Sequence, residues 1–216
     1  MKFWVVIPAA GSGQRFGSDL AKQFQQVQGR SVLDWTLSRF LDHPDLAGIQ
    51  VVLPPGVEPF NHWNSDVIRC CVGGRTRRDS VLAGCRALLE QGVDKDAPVL
   101  VHDAARPLLP RNDLNAVLSA VQSGPACLVA PIADTLRTHQ GETLDRDTIF
   151  RVLTPQAASL DVLTRSLDTD QVFTDEVAYL QAAGHQVTPV VGDPVNLKIT
   201  WPKDIRWAEV YLNELD

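Results

Sequence analysis

Short unbroken apolar runs alternate along this chain with longer stretches in which apolar residues return every three or four positions. The runs fall at 3–7, 49–53, 67–72, 99–101, 127–130 and 187–191, and they are rich in β-branched residues. They mostly lack polar alternation, so each reads as a strand covered on both faces. Between them, Leu33, Leu37, Phe40 and Leu41 have the spacing of one helix face, behind Ser31 as a cap. Val81, Cys85, Leu88 and Leu89 repeat that spacing after Asp79 and before Gly92, and Leu114, Val117, Leu118 and Val121 follow Asn112 as a cap. A further helix begins at Thr174, with Asp175 and Glu176 in its first turn and Gly184 past its end. Pro202 opens the last one, whose Ile205, Ala208, Leu212 and Leu215 share a face. Capping residues, first-turn acids and C-terminal glycines set these limits. Strand and helix in alternation predict an α/β fold with a mostly parallel central sheet.

One segment breaks the rhythm. Residues 133–154 are polar and turn-rich, with weak strand pieces at 135–138 and 148–153. That is too long for a simple connection in a compact domain. It reads as a protruding hairpin or arm that covers a site or meets a partner subunit, or else as a passive surface excursion.

Composition narrows the function classes. A chain of 216 residues, 44% apolar and 21% charged, is an ordinary globular one, expected to form one large domain with or without an appendage. Its 20 Lys and Arg against 26 Asp and Glu leave a net charge of −6. Bulk charge therefore does not hold it to nucleic acid or an anionic membrane, though a local basic pocket for a small phosphorylated ligand stays compatible with it. Cys70, Cys71, Cys85 and Cys127 form no CxxC pair and have no zinc-ligand spacing, as expected of thiols in a reducing cytosol. No apolar run approaches the roughly 18 residues of a membrane span, and the N-terminus lacks a signal peptide, so the cytoplasm is the expected compartment.

Four segments carry candidate chemistry. The first strand runs into Pro8-Ala9-Ala10-Gly11-Ser12-Gly13-Gln14-Arg15-Phe16-Gly17, a glycine-rich turn suited to cradle phosphate on backbone N–H groups. It lacks the Gly-Lys-Ser/Thr of a P-loop. The spacing of Gly11, Gly13 and Gly17 also misses the dinucleotide fingerprint by one residue. It carries Arg15 instead, with Lys22 close behind. Two cations beside a phosphate cradle suit a reaction that builds negative charge on phosphorus, although such residues are more often simply solvated.

The second segment, Gly73 to Val81, joins a strand to a helix at the edge of the sheet where ligands of open α/β sheets bind. Its double glycine permits close approach of a base or sugar. Ser80 could read a base edge or serve only its own helix. In the third segment a buried strand delivers His102 and Asp103, with Arg106 following. Asp103 there is a candidate Mg²⁺ ligand or a partner for substrate hydroxyls, and His102 reads as structural. In the fourth, Lys198 lies among apolar residues after the last strand, either desolvated against an anion or snorkelling to the surface. No Ser/His/Asp or Cys/His arrangement stands out for covalent catalysis, which fits nucleotidyl transfer by positioning and electrostatics.

Taken in order, these segments resemble the 2-C-methyl-D-erythritol 4-phosphate cytidylyltransferase family of non-mevalonate isoprenoid synthesis, over nearly the whole chain. The marks are Pro8-Ala-Ala-Gly-x-Gly-x-Arg15, Lys22-Gln23, Gly73-Gly74 leading to Asp79-Ser80-Val81, and His102-Asp-Ala-Ala-Arg106-Pro. Thr154-Pro-Gln, Thr174-Asp-Glu and Asn196-x-Lys198-x-Thr200 complete them. The resemblance implies a single Rossmann-like nucleotidyltransferase domain over 1–216, with the arm at about 133–154 used to form a homodimer. It implies CTP across the first loop, with its triphosphate on Ala10, Gly11, Ser12 and Gly13 together with Mg²⁺. The base would be read near Ala9 and Gly74 and by Ser80. Arg15 and Lys22 would stabilise the transition state, and Lys198 would position the reacting phosphates. Asp103 and Arg106 would hold the erythritol side and Thr174 its phosphate, while Thr135 and Arg146 reach in from the arm across the dimer. Any metal would be held through the CTP phosphates, with Asp103 as the one protein ligand to consider.

Two features depart from the family pattern. Ala21 stands where the family usually has proline, which suggests a more mobile loop before CTP binds. Arg75, Arg77 and Arg78 make the second segment unusually basic and suggest extra attraction for the triphosphate. The competing readings are a cytidylyltransferase for another polyol phosphate such as ribitol 5-phosphate, a nucleotide-sugar pyrophosphorylase, and a silent nucleotide-binding regulator. The last is disfavoured because binding alone would not need Arg15, Lys22 and Lys198 together.

Overall fold

The computed structural model describes residues 1–11, 21–63 and 66–215. The apolar runs become the strands of one seven-stranded sheet in the order β11-β7-β10-β6-β1-β4-β5. These are β1 (Phe3–Pro8), β4 (Leu46–Leu53), β5 (Ile68–Val72), β6 (Pro98–Val101), β7 (Ala126–Pro131), β10 (Phe150–Ser159) and β11 (Thr188–Val191). β1 lies between β4 and β6 and is parallel to both, with Val5 opposite Ile49 and Val6 opposite Val101. The chain thus builds outward from β1 through β4 to β5, then returns to the other side of β1 for β6. That reversal opens a crevice at the carboxyl ends of the strands, where ligands of such sheets bind.

Helices cover both faces, which explains the continuous apolar runs. α1 (Val32–Leu41) and α3 (Arg111–Ala120) pack Leu33, Leu37, Phe40, Leu114 and Val117 on one face. α2 (Arg77–Glu90), α4 (Leu160–Leu167) and α5 (Glu176–Ala182) pack Val81, Leu82, Leu88, Leu160, Leu163 and Leu180 on the other. A smaller cluster joins Ala208 and Leu212 of α6 (Asp204–Leu215) to Trp35, Leu108 and the short hairpin of β2 (Gln26–Val27) and β3 (Arg30–Ser31).

Several helix starts differ from the sequence expectation. The cap of α2 is Thr76, and Asp79 is instead the reciprocal partner of a capping box. α3 starts at Arg111 behind Pro110, with no side-chain cap from Asn112. Asp175 rather than Thr174 caps α5. α6 starts at Asp204, whose carboxylate accepts from the backbone N–H groups of Thr200 and Trp201, so Pro202 precedes the helix.

The largest correction concerns the arm. The strand piece expected at 148–153 belongs to the main sheet and not to the arm: β10 runs from Phe150 into the middle of the sheet, antiparallel to both β6 and β7, which brings the arm's expected limit of about 154 back to about 149. The register slips between Val152 and Gln156, where Pro155 sits, as a proline inside a sheet requires. What remains outside is a small hairpin, β8 (Leu136–Arg137) with β9 (Thr143–Leu144), followed by a one-turn helix at Arg146–Thr148 capped by Asp145.

Candidate active site

Three loops at the carboxyl edge converge: those after β1, β5 and β6. The first is fixed by Gln23, which donates from Nε2 to the carbonyls of Ala9 (2.6 Å) and Gly11 (2.9 Å). The second packs directly against it. A Cβ added to Gly73 would lie 2.6 Å from Cβ of Ala10 and 2.8 Å from Oγ of Ser80. Only glycine permits that approach, so Ala9, Ala10, Gly11, Gly74 and Ser80 are brought to one place. Ser80 is buried and its hydroxyl donates to the Thr76 carbonyl (3.0 Å) of its own helix, which leaves its lone pairs for other donors. Ser12, Gly13 and Arg15 lie outside the described residues.

Lys22 sits in a one-turn helix, Lys22–Phe24, and its ammonium donates to the Ile199 carbonyl at 2.7 Å. Ala21 has φ −59° and ψ 141°, a φ that a proline ring would also hold, so alanine follows the path open to the proline that the resemblance leads one to expect. Lys198, the residue before Ile199, places its ammonium 2.9 Å from Oδ2 of Asp103. The turn of Lys22 and the segment of Lys198 are therefore tied together at this edge.

Asp103 is the hub. Oδ1 accepts from Nη2 (3.2 Å) and Nε (3.4 Å) of Arg77, and Oδ2 from Nε of Arg106 (3.2 Å) and the ammonium of Lys198. Burial alone would raise its carboxyl, but Arg77, Lys198 and Arg106 outweigh that and hold it well below the usual carboxylate range. The other edge of the Arg77 guanidinium pairs with Glu176, which is fully buried. Burial pushes the Glu176 carboxyl up, against the pull of Arg77.

Four donors occupy the lone-pair sites that a carboxylate offers. As it stands, Asp103 does not fit a metal-ligand role: a cation could reach it only by displacing one of its partners. Among the described residues, no three His, Cys, Asp or Glu side chains gather as a metal site.

Neighbouring motif residues brace this hub. Arg106 donates from Nη1 to the Asn196 carbonyl (2.8 Å), and Asn196 donates from Nδ2 to the Thr154 carbonyl (2.9 Å). His102 is buried, with Nε2 3.0 Å from the Arg106 carbonyl and Nδ1 3.0 Å from the Thr154 hydroxyl. A carbonyl can only accept, so Nε2 carries the proton and Nδ1 accepts from Thr154, whose oxygen in turn accepts from the Asp103 N–H. This network suits a neutral ring, and burial pushes its pKa down to about 4. His102 is structural, as its sequence setting suggests.

The remaining expected residues are not gathered at the hub. Thr174 is exposed beside the cap of α5. Thr135 and Arg146 are exposed on the arm, where Arg146 donates to the Ala133 carbonyl at 2.6 Å. Of the three arginines in the second segment, only Arg75 is exposed. Arg77 is locked between two carboxylates, while Arg78 pairs with Asp79 and donates to the Leu167 and Thr169 carbonyls. Extra attraction for the triphosphate therefore does not describe Arg77 and Arg78.

Arg77 and Glu176 themselves are absent from the sequence-derived site. The signal for Arg77 was the surplus of basic residues. Glu176 was marked only as part of the Thr174-Asp-Glu motif and as an acid in a helix's first turn, with no role attached.

Comparison with known proteins places this geometry. Residues 3–214 match the family model described as 2-C-methyl-D-erythritol 4-phosphate cytidylyltransferase. A protein of that name from Ectopseudomonas mendocina is 40% identical, over 95% of this chain and 94% of its own. Another from Acidithiobacillus ferrooxidans is also 40% identical, over 98% and 96%. Among solved structures, the enzyme of that name from Thermus thermophilus is 34% identical with a TM-score of 0.82, covering 99% of this chain and 100% of its own.

Proposed function

This chain belongs to the 2-C-methyl-D-erythritol 4-phosphate cytidylyltransferase family, and on that premise we propose how its own residues carry the reaction. It is a nucleotidyltransferase of non-mevalonate isoprenoid synthesis that joins CTP to 2-C-methyl-D-erythritol 4-phosphate, giving 4-diphosphocytidyl-2-C-methyl-D-erythritol and pyrophosphate. A phosphate oxygen of the acceptor attacks the α-phosphorus of CTP in line with the departing pyrophosphate. Negative charge crowds on phosphorus as that bond forms.

CTP lies over the first loop, with its triphosphate on the backbone from Ala10 to Gly13 and its base against Ala9, Gly74 and Ser80. Lys22 and Arg15 meet the charge that develops on phosphorus, where a fixed cation lowers the barrier more than it strengthens ground-state binding. Lys198, its ammonium held by Asp103, turns its remaining N–H donors to the reacting phosphates. Arg106 donates to the erythritol hydroxyls, Asp103 accepts from one of them by giving up its long contact (3.4 Å) to Nε of Arg77, and Thr174 contacts the acceptor phosphate. A divalent cation such as Mg²⁺, bound through the CTP oxygens, would neutralise charge on the triphosphate.

Thr135 and Arg146 act from a second copy of the chain in a homodimer. What supports this is their exposure on the arm, with Leu144, Phe150 and Val152 exposed near its base. A cytoplasmic setting is supported by four free thiols. Among the described residues, no helix is long and apolar enough to cross a membrane.

One observation carries the assignment: the chain joins two of its candidate cations at one edge of the sheet, Lys22 on the Ile199 carbonyl and the adjacent Lys198 on Asp103. Lys22→Ala is expected to lower kcat by ~100-fold or more, with a much smaller change in KM for CTP, as for a group acting in the transition state. Steady-state kinetics checks this. Equal losses in turnover and CTP affinity would assign Lys22 to ground-state binding instead.

A further inference from the structure

Asp103 holds more positive charge than one carboxylate balances, with three cationic side chains on its two oxygens. One of the three is shared. Arg77 opens α2 and Glu176 opens α5, and the Arg77 guanidinium bridges the two carboxylates. Nη1 faces Glu176 Oε1, while Nη2 and Nε face Asp103 Oδ1. Glu176 is only 1% exposed, and its second oxygen, Oε2, is buried with no hydrogen-bond partner among the described residues. A buried ion pair is a poor way to gain stability, since apolar residues of similar volume usually do as well. What it supplies is a fixed orientation: the planar guanidinium is held between one oxygen of each carboxylate.

Because Glu176 takes part of the Arg77 charge, Asp103 keeps enough negative potential to hold Lys198. The Lys198 side chain, 35% exposed, is the most exposed member of the cluster. We infer that Glu176 and Arg77 are a positioning pair for this reaction: Glu176 fixes one edge of the guanidinium, whose other edge sets the Asp103 carboxylate and, through it, the ammonium of Lys198. The inference rests on the assignment of Lys198 to the reacting phosphates. Neither Glu176 nor Arg77 need touch substrate.

The test is a double-mutant cycle on the full chain with Glu176→Gln, Lys198→Ala and the two combined. Single-turnover conditions with enzyme in excess keep slow variants measurable. Glu176→Gln keeps the shape and an acceptor for Arg77 but removes the charge. It is expected to lower kcat/KM for methylerythritol phosphate by ~10-fold, with KM for CTP within about twofold of wild type. In the Lys198→Ala background the same change should cost less than about twofold, because its target is already gone. A purely structural role would not make the loss depend on Lys198.

Equal fold-losses in both backgrounds, or wild-type kinetics for Glu176→Gln, would overturn the inference while leaving the function intact. Wild-type turnover in Lys198→Ala would remove the role given to Lys198 and this inference with it. If Glu176→Gln fails to fold, Arg77→Lys enters the same cycle. It keeps the charge but loses the fork, and the same dependence on Lys198 is expected.

Discussion

His102 shows how one side chain can be read from its hydrogen bonds. Its ring is neutral because both nitrogens are committed and burial disfavours the charged form. The unfolded ring titrates at an ordinary 6.5 and the folded one at about 4. The folded state therefore binds fewer protons than the unfolded state between those values. Stability from this residue is fully present above pH 6.5 and is lost as pH falls toward about 4, at up to ~1.4 kcal/mol per pH unit. Urea melts across pH 4–7 should show that slope, and His102→Gln, though less stable throughout, should lose it. A slope unchanged in His102→Gln would move its origin elsewhere. At this scale most of the hub was legible. Lys22, Asp103, Arg106 and Lys198 stood out because cations and an acid next to apolar strand ends are unusual. The pairing of Arg77 with Glu176 did not, since a basic run and a first-turn acid occur on many solvated helices, and only the fold brings α2 and α5 together.

The elements were legible where their pattern was strong. Continuous β-branched runs gave six of the seven sheet strands, and apolar spacing at three and four residues located α1, α2 and α3. The start of β10 was legible as the weak strand piece at 148–153, but its continuation through residues 154–159, Thr-Pro-Gln-Ala-Ala-Ser, escaped because they have no large apolar side chain and include a proline, yet their small size suits a strand buried between β6 and β7. α4 follows β10 without a break, so its start at Ser159 was hidden as well. Once β10 is removed, the arm is the hairpin of β8 and β9 with its one-turn helix. If Arg146 serves a neighbouring copy, mixing inactive Arg146→Ala and Lys22→Ala chains should restore activity, because a mixed dimer keeps one intact site. With random exchange, about a quarter of the sites carry neither defect, so recovery toward that fraction of wild-type turnover is expected. No recovery after verified subunit exchange would place Arg146 in its own chain's site or outside the reaction.

For the molecule as a whole, the sheet's reversal at β1 is what turns separated motifs into one site. Residues as distant in sequence as Lys22 and Ile199, or Arg77 and Glu176, meet only because their loops leave the same edge. The chain's net charge of −6 conceals this, since Lys22, Arg77, Arg106 and Lys198 lie near that edge, balanced locally by two buried carboxylates. Selectivity should follow from the same geometry, because a site built from fixed hydrogen-bonding partners rejects ligands that leave them unpaired. Pyrophosphate release, followed with CTP, UTP, ATP and GTP against methylerythritol phosphate and ribitol 5-phosphate, decides the matter. CTP with methylerythritol phosphate should exceed every other pairing in kcat/KM by at least ~100-fold. Comparable turnover with ribitol phosphate, or with another nucleotide, would contradict it.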